Sequence, residues 1–187
     1  LSHGAARMHL VTLRNLGLAL VLLTLAGVIA AHGMAGNLGV NPVRGFFVAR
    51  VARVHISLLA AALFLLLAFA AWLGSSDLLT TPSSITHGAS YADVHARMPA
   101  LALLLVASLA AATLAAYQMT VTSLWPIAAA VALYGVVSAG GIGYAGIIQR
   151  FVVAPDEQVR ETPYIVHNMH ATRAAFNLDR VAERELS

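Results

Sequence analysis

MPALALLLVASLAAATLAAYQMTVTSLWPIAAAVALYGVVSAGGIGYAGIIQ, residues 98–149, contains no Asp, Glu, Lys or Arg. A helix that crosses a bilayer needs about 20 mostly apolar residues, so this run is too long for one such helix and long enough for two. A polar cluster at residues 118–123 interrupts the run, and Pro126 suits the first turn of a new helix, where its missing N–H costs nothing. We therefore expect helices over residues 99–117 and 125–148.

Two shorter uncharged runs precede it, at residues 15–43 and 54–76, and they predict helices over residues 16–34 and 55–73. Over the whole chain 59% of the residues are hydrophobic and only 10% are charged, whereas soluble domains carry about 25% charged residues. The composition therefore predicts an all-α integral membrane protein with about four transmembrane helices, which occupy residues 1–149. We expect it to be a multi-pass protein of the bacterial inner (cytoplasmic) membrane.

The distribution of arginine predicts the orientation of these helices. Four spans place both termini on one side of the membrane, and cytoplasmic loops are enriched in basic residues. The arginines expected on the side of the termini are Arg7, Arg14, Arg97, Arg150 and Arg160, against Arg44, Arg50 and Arg53 on the other side. The majority predicts cytoplasmic termini.

The residue types that the chain lacks exclude several kinds of chemistry. There is no cysteine, which excludes disulfides, thiolate metal sites and a cysteine nucleophile. All of the basic residues are arginine, which excludes a lysine Schiff base and a P-loop lysine. The arginines are scattered rather than clustered, so we predict no binding of nucleic acid.

Residues 150–187 differ in character from the apolar part of the chain. Within residues 163–176 apolar side chains recur with a period near 3.6, after a threonine that suits an N-cap and a proline that suits the first helical position. The pattern predicts a short amphipathic helix on the membrane face or on a partner protein. The residues expected to dock there are Tyr164, Ile165, Asn168, Met169, Thr172, Arg173 and Phe176.

Histidines provide the candidate sites for cofactors and metals. His32 and His55 lie at predicted helix ends. An imidazole at such a position has two alternative roles: it ligates the metal of haem or of a (bacterio)chlorophyll, or it forms a hydrogen bond with water or with the backbone. We favour the hydrogen-bonding interpretation and predict no cofactor, with pigment or haem ligation as the alternative. His167 and His170 have the spacing of a helical ligand pair, but two histidines fit a polar helix face better than a metal site.

Asp93 and His95 are the remaining pair with catalytic chemistry, because a carboxylate can orient an imidazole for base catalysis. They share a face in a strand but not in a helix. No serine stands in a recognisable nucleophile context beside them. We expect this polar segment to order its own turn by hydrogen bonds, and we predict that the protein is not an enzyme.

The predicted spans carry no ionisable residue of the kind that proton relays and ion-coupled carriers need near the midplane. They offer packing surfaces instead. Gly135, Ala139 and Gly143 recur every four residues on the last span, and small residues let membrane helices approach closely. We therefore predict that these three residues form a helix-packing face.

Three motifs resemble the UPF0182 family of large bacterial membrane proteins. They are RVHISLL at residues 53–59, GASYADVHARMP at residues 88–99, and QRFVVAPDE at residues 149–157 with Tyr164, Asn168, Thr172 and Arg173 beyond it. The resemblance implies an architecture, with further spans before this region and a soluble domain after it, but no reaction. Asp156 and His170 depart from the family pattern, which has asparagine and an acidic residue there.

These observations together predict a non-catalytic accessory subunit of a larger bacterial membrane complex. Other integral membrane subunits and lipids are the expected partners, and a photosynthetic or respiratory complex is the expected host. Two alternatives are the binding or transport of a lipid or small apolar ligand between the helices, and pigment or haem binding through His32 or His55.

Overall fold

A computed structural model of the protein describes residues 2–43, 45–80, 93–153 and 166, and these are mostly helical. Four long helices dominate: α1 (Ser2–Met34), α2 (Arg50–Thr80), α3 (Met98–Tyr117) and α4 (Trp125–Ile147). A two-stranded hairpin, β1 (Leu38–Asn41) and β2 (Gly45–Val48), connects α1 to α2. One π-helical turn, Asp93–Arg97, leads into α3, and another, Ile148–Val153, follows α4.

Among the described residues four helical segments are long and apolar enough to cross a membrane, which agrees with the predicted fold class. They are Arg7–Met34, Arg50–Ser76, Val94–Tyr117 and Trp125–Ile147. The first two helices extend well beyond the predicted residues 16–34 and 55–73. A gap between charged residues marks the apolar part of a helix, whereas the helix itself continues into polar sequence because its backbone hydrogen bonds are still satisfied there.

The end of α1 is set by a glycine in the left-handed region. Gly36 has φ of 69°, its N–H bonds to the carbonyl of Gly33, and the next N–H, of Asn37, reaches back to the carbonyl of His32 at 2.9 Å. This paired arrangement closes a helix and satisfies carbonyls that would otherwise lack partners. The chain leaves α1 directly into β1.

The hairpin was not predicted. Its strands are antiparallel, with Leu38 opposite Val48 and Asn41 opposite Gly45, which leaves a three-residue loop. Gly45, the first residue of β2 after this loop, has φ of 74°, a left-handed conformation that glycine adopts without steric cost. The side chain of Asn41 accepts a hydrogen bond from the N–H of Val43 at 2.9 Å and so shapes the turn.

The four helices alternate in direction, and each packs mainly against its neighbour in sequence. The buried cluster at the centre is built largely from alanine. Its members are Ala60, Ala61 and Phe64 of α2, Ala111, Ala112 and Ala115 of α3, and Ala130 of α4. The ring of Phe64 lies 5.9 Å from that of Tyr134, and this pair joins α2 to α4 across the cluster. Small side chains bring the backbones close, so that dispersion along the helices stabilises the core.

The alternation of helix direction defines two ends of the molecule. We call the end with the start of α1, the end of α2, the start of α3 and the end of α4 the Arg97 end. The opposite end, with the β-hairpin and the α3–α4 connection, is the hairpin end. Close approaches of Gly74 to Leu101 and of Gly141 to Ala100 show that neighbouring helices run antiparallel at the Arg97 end.

Candidate functional site

His32 and His55 meet at the hairpin end. His32 lies in the last turn of α1 and His55 in the second turn of α2, and Nε2 of His32 is 3.0 Å from Nδ1 of His55. Their ring centroids are 5.2 Å apart. That separation is close to the sum of the N–N distance and the two ring radii, so the nitrogens face each other along the line between the rings. This is the geometry of a direct hydrogen bond.

Asn37 completes the arrangement. Its side-chain nitrogen lies 3.1 Å from Nδ1 of His32. An amide nitrogen only donates, so the tautomer that satisfies both contacts of His32 carries its proton on Nε2, toward His55, and accepts at Nδ1. The backbone of Asn37 also joins the two helices. Its N–H donates to the carbonyl of His32 in α1, and its carbonyl accepts from the N–H of Ala49, the residue before α2, at 2.7 Å. One residue therefore holds the two helix ends together.

This arrangement bears on the predicted cofactor residues. Both ring nitrogens of His32 have side-chain partners, so an axial bond from His32 to a haem or chlorophyll metal would require a hydrogen bond to break. Within the part of the chain that the structure describes, Nε2 of His55 has no partner and His55 is exposed. Ligation of a pigment or haem through His32 or His55 stays a prediction.

Gln118 belongs to the polar cluster at residues 118–123, which in the sequence marked only the boundary between two predicted helices. It is 2% exposed. Its Nε2 donates to the carbonyl of Ser123 at 2.7 Å, and its Oε1 accepts from the N–H of Ile127 at 3.2 Å. Ile127 is in the first turn of α4, where N–H groups have no partner within the helix. Gln118 therefore caps α4 from the end of α3, since Leu124 at the N-cap position has no capping side chain.

The predicted packing face of α4 does not contact the other described helices. Gly135, Ala139 and Gly143 are exposed, and an ideal Cβ placed on either glycine would meet nothing within 4 Å. The close approach to α3 is made by Gly141 instead, where a Cβ would lie 3.2 Å from that of Ala100. The register of a glycine-rich helix is hard to predict because several faces carry small residues. Packing through the predicted face stays a prediction for a neighbour outside these residues.

A cavity of about 590 Å³ lies between α3 and α4 at the Arg97 end, where Leu78 of α2 also lines it. Its wall is mostly apolar, and the polar side chains in it are those of Arg97 and Ser138. Two of its wall positions on α4 are glycines: Gly141, where α4 comes close to Ala100 of α3, and Gly146, where a Cβ would meet nothing within 4 Å. The volume lies within the range of about 300–1,000 Å³ that is usual for sites that bind small molecules.

The remaining candidate residues are placed as follows. Asp93 and His95 both belong to the π-helical turn before α3, and a role for them in ordering that turn stays a prediction. His167, His170 and the predicted docking residues lie outside the described residues: Tyr164, Ile165, Asn168, Met169, Thr172, Arg173 and Phe176. In that segment the structure describes Val166, which is helical and exposed.

Comparison with known proteins identifies the relatives of this chain. Residues 8–187 match UPF0182, which is described as an uncharacterised protein family. A UPF0182 protein of Frankia casuarinae is 37% identical over 168 residues, which are 88% of this chain and 16% of that protein. A UPF0182 protein of Kineococcus radiotolerans is 39% identical over 87% of this chain and 16% of its own length. One from Geobacter sulfurreducens is 35% identical over 74% of this chain and 16% of its own length.

No solved structure is significantly similar to the chain. The chain spans about one-sixth of the length of the curated relatives that it matches. The match covers the apolar helices, the π-helical turn that leads into α3 and the residues beyond α4, which are the parts that carry the motifs of the sequence. The predicted resemblance is confirmed: this chain belongs to the UPF0182 family.

Proposed function

We propose that this chain is a non-catalytic, membrane-spanning helical unit that docks against further membrane helices of a larger assembly. In this proposal α1–α4 cross the bacterial inner membrane, and the first and last of them, α1 and α4, contact the partner helices. The proposal keeps the accessory role predicted from the sequence and assigns it to particular surfaces.

The observation that carries the proposal is the uneven burial of the four helices. In the most apolar 18-residue stretch of each helix, 39% of the residues of α2 and 28% of those of α3 are buried, against 6% for α4 and none for α1. The central pair therefore has a core of its own, whereas α1 and α4 have few or no fully buried residues in these stretches and leave much of their apolar surface open. Lipid covers such a surface, and so does another helix.

The residues on α4 favour a helix as the occupant of one face. Gly135, Ala139 and Gly143 form a shallow exposed strip, whereas Val136 beside it is 71% exposed and projects. In membranes the association of helices depends on close packing, so small residues concentrate where two helices meet. Exposed α1 is different: Leu16, Leu20 and Leu23 are each more than 60% exposed, which suits either lipid or a partner.

The occupant that we propose for this strip is a membrane helix of a UPF0182 assembly. The support for it is that the chain spans about one-sixth of the length of its curated relatives, so the family has much more sequence than these four helices. A photosynthetic or respiratory host stays a prediction from the sequence.

Site-directed cross-linking tests the proposal. The chain contains no natural cysteine, so only the introduced cysteine reacts with the reagent. An Ala139→Cys variant is coupled to a benzophenone maleimide and irradiated in its native membrane. The matched control is Leu103→Cys, because Leu103 is 64% exposed on α3 and lies at a similar depth relative to the contact of Gly141 with Ala100. We expect a protein adduct from Ala139→Cys and mainly lipid adducts from Leu103→Cys.

Two results would contradict the proposal. One is an equal yield of protein adducts at both positions, which would show contact without a preferred face. The other comes from gentle detergent extraction followed by mass analysis on native gels: a monodisperse chain with no co-migrating protein would show that no stable partner is present.

A further inference from the structure

We propose that the cavity between α3 and α4 binds an anionic phospholipid, with an acyl chain inside the cavity and the phosphate at Arg97. This inference does not depend on the partner helix proposed for α4, because it concerns the space between two helices of this chain. It follows from the shape of the cavity, from the residues of its wall, and from the charge at the end of the molecule where it lies.

The wall is suited to a hydrocarbon chain. Leu101 and Leu104 of α3 face Val137, Ile142 and Ala145 of α4 across the space. An acyl chain enters such a space without desolvation of polar groups, and close contact with the wall contributes dispersion energy. Ile142 lines the cavity and is also 74% exposed, so the cavity opens onto the bare apolar side of α4. A lipid in the bilayer therefore has direct lateral access, which a ligand dissolved in water does not have.

Arg97 supplies the recognition of the headgroup. It is the last residue of the π-helical turn before α3, it is exposed, and it lines the same cavity. A guanidinium is always charged, and its fork of N–H groups matches two phosphate oxygens at once. Arg97 also interacts within the chain. Five N–H donors allow it to keep that interaction and bind a phosphate.

The surrounding charge favours an anionic headgroup over a zwitterionic one. Arg7 and Arg150 lie at the same end as Arg97, because the start of α1 and the end of α4 are both there. The helices bring two acidic positions to that end, Asp77 and Asp93. Among the described residues at this end, basic positions outnumber acidic ones. Each basic residue near an anionic membrane surface contributes about 1 kcal/mol of attraction, which corresponds to about fivefold in binding.

The test measures lipid selectivity of the intact chain in phosphatidylcholine nanodiscs. Phosphatidylglycerol and phosphatidylcholine, each spin-labelled on the acyl chain, are compared by their relative association constants from electron paramagnetic resonance. For the unaltered protein we expect a preference of about fivefold for phosphatidylglycerol. Arg97→Gln should abolish most of that preference, and Arg97→Lys should retain part of it, because it keeps the charge and loses the fork.

Two matched controls separate the cavity from general surface charge and from general helix perturbation. Arg150→Gln removes a charge at the same end outside the cavity wall and should lower the preference clearly less than Arg97→Gln does. Ala145→Leu fills the cavity and should weaken the association of both lipids, whereas Ala132→Leu adds the same volume to an exposed position of α4 and should not. Circular dichroism of each variant verifies that its helices are intact.

Three outcomes would overturn the inference. The first is no preference for phosphatidylglycerol in the unaltered protein. The second is an equal loss of preference in Arg97→Gln and Arg150→Gln, because the effect would then arise from surface charge alone. The third is displacement of the labelled lipid by excess glycerol phosphate, because the site would then recognise a free phosphate and not a phospholipid.

Discussion

Gln118 shows how one side chain can replace a missing element of local structure. The turn between α3 and α4 has no Ser, Thr, Asp or Asn at the N-cap of α4, and Leu124 occupies that position. The buried amide of Gln118 donates to the carbonyls of Val121 and Ser123 and accepts from the N–H of Ile127. Since a buried backbone group without a partner is costly, this amide stabilises both the turn and the start of α4.

Replacement of Gln118 should therefore destabilise the protein. In Gln118→Leu the N–H of Ile127 and the carbonyl of Ser123 lose their side-chain partner while the volume stays similar. We expect the free energy of unfolding to fall by about 1–3 kcal/mol, the usual cost of leaving buried polar groups unsatisfied. Thermal or denaturant unfolding in detergent measures the change.

A nearby hydroxyl provides the control for Gln118. Thr120 is exposed and donates only to the carbonyl of Tyr117 within the same turn, at 2.8 Å. Thr120→Val should therefore change the free energy of unfolding by less than about 0.5 kcal/mol, as is usual for surface substitutions. If both variants lost the same stability, the capping role of Gln118 would be wrong.

The histidine pair illustrates what residues alone do not reveal. His32 and His55 are 23 residues apart, and nothing in the spacing indicates that they touch. Their contact follows from Gly36, which ends α1, and from Asn37, which joins that end to the start of α2. Both histidines were predicted as candidates from their position at helix ends, whereas Asn37 was missed because its role depends on the hairpin.

At the scale of elements, the helices were predictable and the hairpin was less so. Long uncharged runs of about 20 apolar residues have few alternatives to a helix, so the existence and order of α1–α4 followed from residues 15–149. The hairpin carried a weaker signal. A turn sequence lies between short apolar segments there, formed by Val40-Asn41-Pro42-Val43 and Gly45. Because the segment lies between two predicted transmembrane helices, it was interpreted as an irregular loop.

The faces on which helices pack were the least predictable feature. The buried cluster is made mainly of alanine, and alanine is so frequent on every side of α3 and α4 that no one face stands out. In soluble proteins a contrast between apolar and polar residues marks the buried face. In an apolar helix that contrast is missing, so the choice of Gly141 over Gly135, Ala139 and Gly143 required the structure.

Two adjacent glycines allow the packing of α3 on α4 to be tested directly. In Gly141→Leu the new Cβ lies 3.2 Å from Cβ of Ala100, so α3 and α4 must give by a few tenths of an ångström before the rest of the side chain is placed. We expect a loss of about 1–3 kcal/mol in the free energy of unfolding, as is typical of overpacking. The matched variant is Gly140→Leu, where nothing lies within 4 Å.

Gly140→Leu should be neutral or slightly stabilising, because leucine has a higher helix propensity than glycine. Unfolding of both variants in the same detergent gives the comparison. The packing described for α4 would be refuted if Gly140→Leu were the more damaging of the two.

At the scale of the whole molecule, the alternating helices place the start of α1 and the end of α4 at the Arg97 end, and the hairpin at the opposite end. Single cysteines in this cysteine-free chain test that arrangement. Met8→Cys and Phe151→Cys mark the Arg97 end, and Val43→Cys marks the hairpin end; the three native side chains are 73%, 69% and 92% exposed. We expect an impermeant maleimide to label the first two from one side of the membrane and the third from the other.

Inside-out and right-side-out vesicles provide the two faces for this experiment. The arginine distribution predicts that Met8→Cys and Phe151→Cys react from the cytoplasmic side. Labelling of all three positions from one face would contradict the membrane-spanning arrangement, and labelling of the expected pair from the outer face would reverse the predicted orientation.

The succession of contacts, in which each helix packs on the helix before it, has a consequence for biosynthesis. Among the described long helices the extensive interfaces join neighbours in sequence, so the α1–α2 contact can form before α3 has been synthesised, and α3 then packs on an α2 that is already present. The contact of Phe64 with Tyr134 forms when α4 follows. Contacts that are local in sequence also form quickly. The chain can therefore assemble in the order in which the ribosome delivers it, and α4 arrives last with an open strip of small residues on its outer side.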